Sequence, residues 1–170
     1  CLDESDTLKA EFRATNTDSE PYSCTELFHP FFRVGETAKT TISNTKGCHY
    51  YWRSEPEYGY RRMLENDFCG GFFKKIGPGF VVCEEGKPPY RHDLIDPVLK
   101  RKVEITYEGG RQLIMWNSGP DYSPCGKSDS PDFGRRFITV EAGNCYDDYA
   151  YTLKPGEVHK VRGVFRVKPL

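Results

Sequence analysis

The sequence predicts a mainly β chain: a disulfide-stabilised antiparallel β-sandwich with one short helix, forming one domain over residues 1–170. Three observations lead there. Aromatic residues make up 14% of the chain, with 11 Tyr and 11 Phe against 2 Met, and aromatic side chains favour strands over helices. Several short segments alternate apolar and polar residues, the period of a half-buried strand. Seven cysteines (Cys1, Cys24, Cys48, Cys69, Cys83, Cys125 and Cys145) are spread along the chain with no Cys-x-x-Cys pair. That spacing suits a framework of bridges better than a zinc site or a thioredoxin-like centre.

In chain order, Leu8, Ala10, Phe12 and Ala14 alternate with Lys9, Glu11 and Arg13, giving a strand that the turn-rich Asn16–Pro21 ends. Phe28–Val34 is apolar and broken by Pro30, Thr37–Ser43 is a Thr-rich strand, and His49–Trp52 is a short aromatic one. The single helix starts at Ser54, whose spacing to Glu57 makes a capping box with Pro56 in the first turn. Tyr60, Met63, Leu64 and Phe68 continue it at helical spacing up to Gly70-Gly71. Phe80–Cys83 is a buried strand, and residues 84–97 read as a loop rich in breakers. Val103–Tyr107 and Arg111–Trp116 flank Gly109-Gly110 and are expected to form a hairpin, with Val103 facing Trp116 and Glu108 beside Arg111. After a long loop around Cys125 come strands at Phe137–Glu141, at Tyr146–Leu153 and, beyond the turn Lys154–Glu157, at Val161–Val167. The stretch from Tyr151 to Val167 is similar to a late turn and strand of immunoglobulin-like sandwiches, and Leu8–Tyr22 to an early strand and turn of the same domains. The resemblance implies an immunoglobulin-like or related sandwich.

A net charge of −1 gives no drive for bulk nucleic-acid binding. No apolar run approaches the roughly 18 residues of a membrane-spanning helix. The chain starts at Cys1 and not Met, which reads as a mature form whose signal peptide has been removed. Cys1 is either a lipidated cysteine or the first bridged one, and the second is favoured. With the cysteines, these features place the protein outside the cell, as a secreted product. None of the four histidines (His29, His49, His92, His159) stands at metal-ligand spacing, no cofactor motif is present, and no nucleophile elbow or phosphate loop occurs. His29, before a proline in an apolar stretch, reads as packed.

Three function classes remain. The favoured one is a non-catalytic, disulfide-rich binding protein of effector or virulence type that docks onto a protein partner or, alternatively, an anionic glycan. Its candidate contacts are Trp52, Arg53, Tyr58, Arg61 and Arg62, an aromatic–arginine cluster, and Lys160, Arg162 and Arg166 on the last strand, whose other reading is protection of a sheet edge. The second is a ribonuclease-like hydrolase, in which Arg91, His92 and Asp93 with Glu84 or Glu85 supply base, acid and phosphate-neutralising charge. The third is a carbohydrate-binding module that stacks Tyr and Trp on sugar rings.

Overall fold

The computed structural model describes residues 2–3, 6–52, 62–72, 79–83, 90–117, 133–145 and 150–170, with the backbone alone at 2–3, 49–52, 62, 72, 79–83 and 133. Its first strands are β1 (Leu2–Asp3), β2 (Thr7–Thr15), β3 (Tyr22–Cys24), β4 (Glu26–Phe28), β5 (Phe31–Arg33) and β6 (Thr41–Ile42). Next come β7 (His49–Trp52), β8 (Arg62–Met63), β9 (Phe68–Cys69), β10 (Gly79–Cys83) and β11 (Tyr90–Asp96). The last are β12 (Arg101–Glu108), β13 (Gln112–Asn117), β14 (Phe137–Asn144), β15 (Tyr151–Leu153) and β16 (Val158–Pro169). Single 3₁₀ turns at Thr37–Lys39, Gly70–Phe72 and Phe133–Arg135 are the helical structure among the described residues.

One large sheet runs β1-β2-β16-β12-β11-β6-β9, a second runs β4-β14-β13-β10-β7-β8 with β5 also pairing β14, and β15 and β3 form a separate two-stranded sheet. Neighbours pair antiparallel throughout. The two large sheets share one core, to which the first contributes Leu94, Val103, Ile105, Tyr107 and Phe165 and the second Leu113, Met115, Ile138, Val140 and Ala142. Phe28 touches both Tyr107 and Phe165 at 6.0 Å between ring centroids. The Tyr107 hydroxyl donates to the Val140 carbonyl at 2.6 Å, so the buried hydroxyl is satisfied across the sheets. The expected mainly antiparallel β architecture is therefore present.

Several finer expectations fail. The two segments around Gly109-Gly110 are strands, but not a hairpin: β12 pairs β11 and β16, while β13 pairs β10 and β14. The glycines carry the chain from one sheet to the other. Gly109 has φ +96°, and a Cβ there would collide with the Lys160 carbonyl oxygen. Glu108 accordingly lies opposite Arg162, not Arg111. The helix is absent where it can be seen. Its start lies outside the described residues, and Arg62–Met63 and Phe68–Cys69 are extended, with Leu64 N–H donating to the Cys48 carbonyl at 3.0 Å. Residues 90–96, expected as loop, form an inner strand whose Tyr90, His92, Leu94 and Asp96 point inward. Thr37–Ser43 is half 3₁₀ turn and half strand.

The disulfide framework is also overturned. Among the described residues, Cys24, Cys48, Cys69 and Cys145 form no disulfide. They lie apart in the chain, Cys24 in β3, Cys69 in β9, Cys48 just before β7 and Cys145 just after β14: Cys69 Sγ donates to the Ala38 carbonyl and Cys145 Sγ to Gln112 Oε1, both at 3.4 Å, and Cys48 packs against the core. Cys1, Cys125 and the side chain of Cys83 lie outside the described residues.

Two outcomes follow. Alkylation of the denatured protein without reductant should label Cys24, Cys48, Cys69 and Cys145; a disulfide-linked peptide joining any two would contradict this arrangement. Ile138→Ala, which empties a fully buried site on the core side of β14, should cost about 2–5 kcal/mol in urea unfolding.

Candidate active site

All residues of β14 are buried, which an antiparallel strand with one wet face would not show. Its Ile138, Val140 and Ala142 enter the core. The odd ones, Phe137, Thr139, Glu141 and Gly143, point to the opposite face of the sheet, as do Gln112, Ile114 and Trp116 of β13, which lie opposite Gly143, Glu141 and Thr139. On the other flank, β4 pairs Ala142–Asn144 and β5 pairs Phe137–Thr139, so the intervening His29 comes level with Glu141.

His29 Nδ1 stands 3.3 Å from Glu141 Oε1. The contact is not aligned as a hydrogen bond, and Glu141 Oε1 has no hydrogen-bond partner. Glu141 is 2% exposed and His29 42%. Burial raises the Glu141 carboxyl from 4.5 to about 7, opposed by a hydrogen bond from Thr139. Burial lowers the His29 imidazole from its ordinary value, against a smaller backbone hydrogen-bond effect. Both groups are thus pushed toward their neutral forms and poised to exchange one proton near neutrality.

Aromatic rings surround this pair. Phe31 stacks on His29 at 5.0 Å between centroids, Trp116 meets both edge-on at 6.1 Å, and Phe137 lies 5.4 Å from Phe31 and from Trp116. Phe31 is 52% exposed. Arg33, opposite Phe137, continues the row into solvent. A second polar cluster fixes the register: Glu26 Oε1 accepts from Asn144 Nδ2 at 2.7 Å and lies 3.2 Å from His159 Nε2. It ties β4 to β14 and β16 three residues before His29 and three after Glu141.

Of the residues singled out from sequence, those with described side chains fall elsewhere. Alternation along β11 sends His92 into the core and Arg91 and Asp93 to the outside, so the proposed triplet cannot converge. His92 Nδ1 donates to the Ser43 carbonyl at 2.8 Å, and Asp93 pairs with Lys102 at 2.9 Å. Lys160, Arg162 and Arg166 lie on the solvent face of β16, which is an inner strand and needs no edge protection; Arg162 is opposite Glu11 and Glu108, and Arg166 opposite Glu104. Trp52 and Arg62 belong to β7 and β8, without described side chains, and Arg53, Tyr58, Arg61 and Glu84 lie outside the described residues. His29, expected to be packed, is exposed, and Glu141 reads from the sequence only as the end of a strand. Its signal was there, a lone carboxylate inside the apolar run Phe137–Ala142.

The family model described as aldose 1-epimerase matches residues 1–166. The chain belongs to the aldose 1-epimerase family. A curated relative, "Putative glucose-6-phosphate 1-epimerase" of Cenchrus ciliaris, is 23% identical over 154 residues, covering 88% of this chain and 43% of that protein. Among solved structures, the "putative mutarotase (YeaD)" of Salmonella typhimurium superposes with a TM-score of 0.77 at 16% identity, over 97% of this chain and 51% of that one. A "galactose mutarotase-like protein" of Lactobacillus casei ATCC 334 gives 0.66 at 16% identity, over 98% and 60%. These likenesses establish the aldose-epimerase fold in place of an immunoglobulin-like one. The chain spans about half the length of the proteins it matches. Membership of a sugar-epimerising family overturns the disulfide-rich secreted binder of effector type, and with it the ribonuclease-like and carbohydrate-module alternatives.

The raised Glu141 carboxyl has a signed consequence for stability. A group protonated more readily in the folded state contributes fully below its unfolded value, here 4.5, and that contribution is lost as pH rises through about 7. Wild type should therefore lose on the order of 3 kcal/mol between pH 5 and pH 8. Glu141→Gln should flatten that slope in denaturant titrations.

Proposed function

We propose that this chain carries the acid–base centre of an aldose 1-epimerase, interconverting the α and β anomers of a hexopyranose. The 3.3 Å approach of His29 Nδ1 to Glu141 Oε1, within a partly exposed ring of aromatics, carries the reading. Anomer exchange needs two proton transfers on one sugar. The Glu141 carboxylate takes the proton of the anomeric hydroxyl O1 while the His29 imidazolium gives one to the ring oxygen O5. The C1–O5 bond breaks, C1=O1 forms, and rotation about C1–C2 presents the other face of the aldehyde. Reclosure returns both protons along the reverse path. After opening, Glu141 is protonated and His29 neutral, the forms that burial favours for each. The site thus stabilises the protonation state that accompanies the open chain.

Trp116 and Phe31 supply apolar faces for the C–H side of the pyranose. Arg33 supports a phosphorylated substrate as a second reading: it is the exposed cation at the far end of the aromatic row, where a 6-phosphate on the sugar would find a partner.

Glu141→Gln should lower enzyme-catalysed mutarotation of D-glucose or its 6-phosphate by about 10²–10⁴-fold, followed by polarimetry above the spontaneous rate. His29→Asn should fall in the same range. The wild-type rate should decline as pH rises past about 7, where the pair loses its shared proton. Wild-type activity that survives Glu141→Gln would refute the assignment.

A further inference from the structure

We propose that strand β2 is a docking edge for a second copy of this chain, the two β2 strands pairing antiparallel about a twofold axis at Phe12. β2 is the outermost long strand of its sheet. On one side all nine of its residues pair with β16, from Thr15 opposite Val158 to Thr7 opposite Arg166. On the other side, among the described residues, β1 covers only Leu8 and Thr7, which lie opposite Leu2 and Asp3. From Lys9 to Thr15 the backbone presents an edge to which another strand can add.

The side chains give this edge two unlike faces. Leu8, Ala10, Phe12 and Ala14 lie opposite Phe165, Gly163, Val161 and His159, and so share the face that those residues turn inward. Val161 and Phe165 are buried, whereas Leu8 and Phe12, one strand further out, are each 42% exposed. The apolar layer therefore runs out to the sheet edge and stays uncovered there. Natural edge strands often block pairing with an inward-pointing charge. None stands on the inner face of β2, whose charged residues Lys9, Glu11 and Arg13 alternate onto the other face. There Arg13 Nη2 donates to Glu11 Oε1 at 2.8 Å.

The pattern of the open stretch selects a copy of itself as the occupant. Antiparallel pairing over its whole length centres on Phe12. Lys9 then faces the partner's Thr15, Ala10 the partner's Ala14, Glu11 the partner's Arg13 and Phe12 the partner's Phe12. Symmetry makes the Glu11–Arg13 match twice, and the two Phe12 rings meet on the apolar face. The neighbouring registers that keep the apolar faces together set like charges opposite each other. One places Glu11 on the partner's Glu11 and Lys9 on the partner's Arg13; the other places Arg13 on the partner's Arg13. Like charges directly opposite are destabilising, so a single register is left. An isologous contact of this kind closes as a dimer. An edge of this length makes a small interface, so association belongs in the micromolar range.

Sedimentation velocity of the 170-residue chain between about 1 and 200 µM provides the test. Wild type should pass from monomer to dimer within that range. Glu11→Arg and Arg13→Glu should each weaken the dimer by about tenfold or more, because each sets like charges opposite across the axis. The double exchange should restore it to within about threefold of wild type. Phe12→Asp, which puts a carboxylate on the axis against its own copy, should leave a monomer. The two charge positions are exposed, so those variants keep the fold, which circular dichroism checks, and they decide the matter if Phe12→Asp unfolds. Wild type that stays monomeric throughout overturns the proposal. So does a dimer indifferent to both single reversals, or one that the double exchange fails to restore.

Discussion

Strand β14 is buried on both faces, and the rest of the molecule is arranged around that constraint. Ile138, Val140 and Ala142 must meet the opposing sheet, while Phe137, Thr139 and Glu141 must look the other way. A slip of one residue would drive the Glu141 carboxyl into the apolar core and expose the core residues, since side chains along a strand alternate strictly. Register is held from both flanks. Five residue pairs join β14 to β13, and β4 and β5 grip it on the other edge either side of His29. The Glu26–Asn144 bond, with His159 beside it, adds a polar lock at one end.

How much of this could be read in the sequence depends on the range of the signal. Strands β2, β7, β10 and β16 were legible because alternation or an aromatic run is a local property. The strand part of the Gly109-Gly110 prediction was right and the pairing wrong for one reason: a tight glycine turn serves a hairpin and a crossover between sheets equally well. The apolar residues on either side do meet, but through the core. Leu113 and Met115 face it together with Val103 and Ile105, whereas Trp116, the partner expected for Val103 from the hairpin, points with Ile114 to the opposite face. Strand β11 was hidden by Arg91, His92 and Asp93, whose charges suggested a loop; a strand tolerates that run when one neighbour in two is solvated.

The site was less legible than the fold because its two principal groups are far apart in the chain and meet only through β4, β5 and β14. His29 beside Pro30 looked like packing, yet the proline breaks the apolar stretch into two short strands and leaves the imidazole between them, level with the carboxylate. Cysteine misled for a different reason. Wide spacing is compatible with bridges but does not require them, and no disulfide joins the described cysteines, of which Cys69 and Cys145 bond to other groups.

Burying a carboxylate beside an imidazole normally ends in an ion pair, and each partner would then favour the other's charged form. At this site desolvation is the largest cause on both sides, raising Glu141 against a hydrogen bond from Thr139 and lowering His29 against a backbone hydrogen bond. The misaligned 3.3 Å contact is the geometric counterpart, since a well-formed charge-assisted bond would be shorter and would hold the proton between the two groups. A pair left this loosely coupled keeps its proton available to a third party. Partial exposure at His29 and Phe31 gives that third party an approach, and the stacked aromatic rings favour a flat molecule with an apolar face. The same burial that makes β14 costly to place is therefore what leaves the proton free to move.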